Sequence, residues 1–306
     1  MATKRVVLFT ANDSNDYQKT VREDAQSAAA ELGIRLEVLS ADNRPVMQMR
    51  QLQEVLHRDL GERPDGVIVM PVRSSQASRV AAELGRAGIG IIAVNRRIEG
   101  LNELRNAYPH LPMGFISPDQ REVGRIQGRQ FRALLPSGGH LLYVQGDATT
   151  DSAAQRLQGM RDVIAGSGIE LTTTLDGNWT ESDAERVCGN FLRMVMAGTS
   201  TLDLIGCQND AMALGAIAAL KSVAEYLRRP EIARITVTGC DGVPGVGQEL
   251  VKQGKLAATV ILPSTGRPAI EVLAAAWQLG QRPPEEMFLT PKSLPDEKVL
   301  HPIRMS

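Results

Sequence analysis

No apolar run in this 306-residue chain is longer than a strand, so nothing in it reads as a bilayer-spanning helix. Charge of one sign is missing too: 34 Lys and Arg stand against 35 Asp and Glu, a net −1. Without a basic block there is no electrostatic footprint for nucleic acid or an anionic membrane surface. Cysteine is scarce. Cys188, Cys207 and Cys240 form an odd set without metal-ligand spacing. Cys207 and Cys240 end apolar strands and Cys188 falls in a helical pattern, so all three are expected as buried thiols. Such thiols permit a reducing compartment without requiring one. Aromatic residues make up only 4%.

The equipment of an enzyme is also lacking. His57, His110, His140 and His301 are scattered with no partner spacing. Gly242-Val243-Pro244-Gly245-Val246-Gly247 follows a strand but is not the dinucleotide fingerprint, and no phosphate-loop lysine is present. Met194 and Met196 fall where a helix should pack and are expected in a core. No catalytic residue, metal or cofactor is expected.

What the chain does contain is a repeat. Val6–Ala11, a helical stretch and Gly33–Leu39 are echoed by His140–Gln145, a helical stretch and Gly168–Thr174. Asp65-Gly66-Val67-Ile68-Val69 answers Asp203-Leu204-Ile205-Gly206-Cys207 in nearly the same register. Apolar strand-length runs alternate with helix-period stretches throughout, the pattern of βαβ units and a parallel sheet. Strands are expected near 5–11, 34–40, 66–70, 90–94 and 113–116, then 140–145, 169–175, 203–207, 234–239 and 256–262. Helices are expected near 17–32, 44–58, 74–87, 119–135, 151–166, 181–197, 210–227 and 265–279, followed by an extended tail. Gly33 and Gly88 are placed to end their helices. The fold class is therefore α/β, with two similar doubly wound parallel-sheet lobes.

Open parallel sheets bind ligands beyond the carboxyl ends of their strands, and polar residues collect there. Asn12–Tyr17 follows the first strand and Asn95-Arg96-Arg97 the fourth. Asp147 and Arg156 follow the first strand of the second half, Asn178-Trp179 the second, and Gln208-Asn209-Asp210 the third. Asp241 follows the next strand. Each has a plainer use. Asn15 or Asp16 caps one helix and Asn209 or Asp210 another, Asp241-Gly242 forms a turn, Arg96 and Arg97 are solvated, and Trp179 packs an edge. Taken together, they describe a cleft suited to a polyhydroxylated ligand. Charged hydrogen bonds would meet its hydroxyls and an aromatic plate its apolar face.

The chain resembles type I periplasmic solute-binding proteins, most of all the ribose-binding proteins of sugar ABC transporters. The resemblance rests on Ser152-Ala153-Ala154-Gln155-Arg156-Leu157-Gln158-Gly159-Met160, Gln208–Ala216, Gly239-Cys240-Asp241-Gly242 and Gly254–Thr259. It implies ligand contacts from Asn15, Tyr17, Asn95, Arg96, Arg156, Trp179, Asn209 and Asp241. It also implies a three-strand hinge near Ser117-Pro118, Leu262-Pro263 and Thr290–Lys292. One lobe would be 1–117 plus 263–291, and the other 118–262 plus 292–306. Further implications are a sugar or sugar-like ligand such as a polyol or sugar acid, closure of the lobes over it, an ABC transporter permease as partner, and a monomeric state.

Two positions depart from the ribose-type pattern: Asn95 stands where those proteins carry Asp, and Leu262 where they carry Gln. A ligand other than plain ribose is expected in consequence. The six largely apolar residues that follow Arg5 are too few for a signal-peptide core of about 7–15. Either a leader has been removed and the protein is periplasmic, or the chain is cytoplasmic as written. The competing reading is a sensing effector domain of a transcriptional regulator or receptor kinase, although no helix-turn-helix precedes the first strand.

Overall fold

The structure, a computed structural model, describes residues 3–198 and 201–303. The chain divides into two compact units, Met1–Pro118 with Pro263–Leu289, and Asp119–Leu262 with Thr290–Ser306.

The first unit opens with β1 (Arg5–Thr10), α1 (Asp16–Glu31), β2 (Arg35–Ser40), α2 (Pro45–Leu56) and β3 (Gly66–Val69). It continues through α3 (Ser74–Arg86), β4 (Gly90–Val94), α4 (Leu101–Ala107) and β5 (Met113–Pro118). Strands β1, β3 and β4 are almost wholly apolar and buried, as strands covered by helices on both faces must be. On one face Val7, Phe9, Val67, Val69 and Ile91 pack against Leu52, Val80 and Leu84 of the helices.

The second unit contains α5 (Gln120–Leu134), β6 (Gly139–Gln145), α6 (Asp151–Ile164), β7 (Ile169–Asp176), α7 (Glu181–Val195), β8 (Leu204–Cys207), α8 (Asp210–Leu227) and β9 (Thr236–Thr238). A short α9 (Gly247–Lys252) and β10 (Thr259–Ile261) follow. The chain then returns to the first unit for α10 (Gly266–Leu279) and β11 (Glu286–Leu289), and β12 (Lys292–Leu294) pairs antiparallel with β10.

The repeat is structural. The second unit's parallel sheet runs β7-β6-β8-β9, and the first unit's, read from the same edge, runs β2-β1-β3-β4-β5-β11. Each sheet thus carries its first strand second from the edge, with the crossover on either side of it. The expected α/β class with doubly wound parallel sheets is what forms. Gly33 and Gly88, at φ +67° and +79°, sit just beyond their helices as expected.

Four details differ from the sequence expectation. Helices α4 and α9 are too short to show a period. The expected extended tail contains β11, which joins the sheet beside β5. The strand expected over 256–262 shrinks to β10. Met194 is 72% exposed on α7 rather than in the core, while Met196 is buried.

Candidate functional site

In the first unit, the loop after β1 is folded by its own polar side chains. Gln18 Oε1 accepts from the backbone N–H groups of Ala11 (3.0 Å) and Asn12 (2.8 Å). Asn12 Oδ1 accepts from the Ser14 amide at 2.8 Å, an Asx turn. Asn15 caps α1, its Oδ1 accepting from Gln18 N–H at 3.1 Å. Two residues on, the buried Tyr17 lies with its hydroxyl 3.3 Å from Asn95 Oδ1 and 3.1 Å from the Pro263 carbonyl oxygen.

Asn95 adopts φ +62°, a left-handed conformation that Asn tolerates better than most residues. The turn sends Arg96 back over β3, where Nη1 donates to the carbonyls of Pro71 (3.3 Å) and Val72 (3.1 Å). Its neighbour Arg97 has a different task. It forms a two-armed ion pair with Glu286 and lies 4.5 Å from the Phe115 ring centroid, pinning β11 to the sheet. The Asn95-Arg96-Arg97 run therefore splits. Arg97 is an architectural residue, and neither arginine is merely solvated.

In the second unit, Arg156 on α6 is only 4% exposed. Its Nε donates to Gln120 Oε1 at 2.7 Å, and Nη1 donates to the Gln208 carbonyl and lies 3.5 Å from Cys240 Sγ. The guanidinium carbon is 5.3 Å from the centroid of the Trp179 ring, within range of a cation–π contact. Both Asn178 (φ +48°) and Trp179 (φ +65°) are left-handed, which turns the indole onto the end of β6. There it lies directly on Gly146, where an added Cβ would come within 1.9 Å of the ring. Only glycine leaves that space. The indole N–H is buried without a hydrogen-bond partner among the described residues.

Asn209 is 1% exposed and works as the cap of α8: Oδ1 accepts from Met212 N–H at 2.8 Å, and Nδ2 donates to the Trp179 carbonyl at 3.1 Å. Of the alternative caps, Asn15 or Asp16 and Asn209 or Asp210, it is the asparagine that caps in both cases. Asp241, at φ +102°, is joined to β10: its N–H donates to the Val260 carbonyl (3.0 Å), and its carbonyl accepts from Leu262 N–H (3.0 Å).

Three further residues hold these side chains in place; Gln120 was not singled out from the sequence, and Gln208 and Asp210 were, but without this role. Gln120, at the start of α5, aims Arg156. Gln208 is fully buried and bridges Gly146 N–H (3.0 Å) to the Ala153 carbonyl (3.0 Å). Asp210, also buried, accepts from Gly242 N–H and the Thr259 hydroxyl. Asp210 was legible as a polar strand-end residue and candidate helix cap; its partners lie at distant points of the sequence. Deeper still, the Tyr143 hydroxyl donates to Gln127 Oε1 at 2.6 Å, with burial raising its pKa. Burial likewise pushes the Cys240 thiol up to about 12, against the opposing pull of Arg156. All three cysteines are buried, as expected.

The family profile described as a periplasmic binding protein domain matches residues 6–282. The ribose import binding protein RbsB of Salmonella typhimurium is 26% identical over 275 residues, covering 89% of this chain and 84% of that protein. The D-ribose/D-allose-binding protein of Pseudomonas aeruginosa is 23% identical over 258 residues, 83% of this chain and 76% of that one. Among solved structures, the periplasmic binding protein component of an arabinose ABC transporter from Shewanella sp. ANA-3 superposes with a TM-score of 0.82. That match is 22% identical and covers 96% of this chain and 93% of the other. The last is a likeness of fold.

Proposed function

Because the chain belongs to the periplasmic binding protein family, we propose that it captures a sugar or sugar-like molecule without altering it and delivers it to an ABC transporter permease. The observation that carries this reading is the Arg156–Trp179 stack, 5.3 Å apart at the carboxyl ends of β6 and β7. A guanidinium fixed in direction offers charged donors to hydroxyls, and an indole beside it covers the apolar face of a sugar ring.

Asn15, Tyr17, Asn95 and Arg96 would act from the first unit, and Arg156, Trp179, Asn209 and Asp241 from the second. Asn15 and Asn209 would contribute mainly by shaping the loops, since their carboxamides already cap helices. Ligand held by both units favours a closed arrangement, so closure about the three chain crossings is the proposed conformational step. Import as a monomer in the periplasm is the setting this reading implies. The curated relatives, named for ribose and allose binding, favour uptake over sensing.

Asn95 and Leu262 direct the reading away from plain ribose. Asn95 supplies a neutral carboxamide, and Leu262 an apolar side chain that is 7% exposed. A site that keeps two arginines and loses an acidic acceptor suits another sugar, a polyol or a sugar acid. A thermal-shift screen over pentoses, hexoses, polyols and sugar acids tests this. One compound should stabilise the protein more than ribose does and be recovered chemically unchanged. If ribose stabilises more than every other compound, the ligand assignment is wrong; turnover of the bound compound would remove the non-catalytic reading.

A further inference from the structure

The amino-terminal edge of the first unit's sheet holds a feature unrelated to the loops described so far. Arg5 and Arg35 are the first residues of β1 and β2 and stand in direct parallel register. Like charges side by side on neighbouring strands destabilise a sheet. An acid between them would relieve the repulsion, yet neither guanidinium has a hydrogen-bond or ion-pair partner within 4.0 Å among the described residues. The acids nearby are committed elsewhere. Asp65 takes the Lys4 ammonium at 2.7 Å and the backbone N–H of Arg5 at 2.9 Å. Glu37 is held by both arms of Arg58, at 2.7 and 2.8 Å.

Beside the pair lies a cavity of about 220 Å³, lined by Arg5, Val7, Arg35, Glu37, Arg58 and Glu62 among others. Its position is roughly 20 Å along the strands from the carboxyl-end loops, at a rise of about 3.3 Å per residue. Drug-sized ligands occupy roughly 300–1,000 Å³, so the cavity suits something smaller.

We infer that Arg5, Arg35 and the adjoining cavity form a second binding site, which takes the oxyanion group of a small anionic molecule. Two planar guanidinium forks match the oxygens of a carboxylate or phosphate in a way that lysines would not. The Glu37–Arg58 pair holds one wall rigid and adds no net charge. Glu62, also on the lining, disfavours large polyanions and limits the site to a single oxyanion group.

The test is a thermal-shift titration at constant ionic strength, with inorganic phosphate in one arm and succinate in the other. In the wild type at least one arm should give a saturable rise in Tm, and the arm with tighter half-saturation distinguishes a phosphoryl from a carboxylate ligand. Arg5→Gln and Arg35→Gln should each weaken half-saturation by at least about tenfold, roughly 1.4 kcal/mol. Arg50→Gln, on the exposed face of α2, should leave it unchanged. Without anion, Arg5→Gln should melt no lower than wild type, because it removes a like-charge neighbour. Absence of saturation in both arms, or unaltered half-saturation in both variants, overturns the site. So does a crystal soaked with the anion of the tighter arm that shows no density between Arg5 and Arg35.

Discussion

The Asp210 carboxylate accepts a hydrogen bond from the backbone N–H of Gly242 at 2.8 Å, across 32 residues of sequence. Its other oxygen accepts from the Thr259 hydroxyl at 2.7 Å, so one buried acid joins the start of α8, the turn after β9, and β10. The approach is so close that a Cβ on Gly239 would lie 2.1 Å from Oδ1, and one on Gly247 1.9 Å from Oδ2. The Gly239-Cys240-Asp241-Gly242 motif is thus a socket for Asp210 as much as a platform for Asp241. Asp210→Ala would strand two buried donors and should cost about 2–4 kcal/mol. Urea denaturation followed by circular dichroism checks this; an unshifted midpoint contradicts it.

Gly146→Ala should displace the Trp179 ring, since the new methyl would occupy the ring's own space. In a Trp277→Phe background the remaining indole reports alone. Its emission should shift to the red, and affinity for the sugar ligand should fall by tenfold or more, about 1.4 kcal/mol.

Arg156→Ala and Asp241→Ala should each cost on the order of 2 kcal/mol or more in ligand binding, because each removes a charged hydrogen-bonding group from the proposed site. Arg156→Lys should not restore binding. A lysine cannot reach Gln120, the Gln208 carbonyl and the face of Trp179 at once. Gln120→Ala should weaken binding while leaving the ligand preference order unchanged, as expected of a residue that only aims Arg156. Isothermal titration of the four variants separates these outcomes.

Acid should loosen the first unit through Glu286. Arg97 beside it holds its carboxyl below the ordinary glutamate value, which is about 4.3. A lowered folded-state pKa gives stability that is present above the unfolded value and lost as pH falls through the folded one. Wild-type Tm should therefore drop more steeply below about pH 4 than that of Glu286→Gln. Parallel slopes for the two proteins would contradict the assignment.

The thiols should be inert. Burial pushes Cys188 and Cys240 up to about 12 and raises Cys207 as well. A thiol-reactive chromogen at pH 8 should find none of them in the native protein and all three in denaturant, and a rapid native reaction would place a thiol at the surface.

The alternation of apolar strands and helical periods was enough to read the α/β class and the doubling, because both are local patterns repeated along the chain. Helix ends at Gly33 and Gly88 were legible for the same reason, and the caps of α1 and α8 were legible to within one residue, Asn15 or Asp16 and Asn209 or Asp210. What escaped was non-local or too short. β11 reads as a tail until β5, distant in sequence, offers it an edge. Arg96 and Arg97 look alike in sequence, and only the positions of Glu286, Phe115 and the Pro71 and Val72 carbonyls tell them apart. Met194 follows the helical period but falls on the solvent side of α7. At the candidate site, position at a strand end was visible, whereas the partner each side chain engages was not: Asp210 meets Thr259 and Gly242 only once the chain has folded.

The central claim is that one ligand is held by residues of both units. Calorimetric titration of the tightest-binding sugar or sugar-like compound into wild type, Asn95→Ala and Arg156→Ala tests it most directly. The account predicts one ligand per chain at micromolar or tighter affinity, about −8 kcal/mol, with a tenfold or greater loss in each variant. Wild-type affinity in both variants, or no binding by any compound, would contradict it.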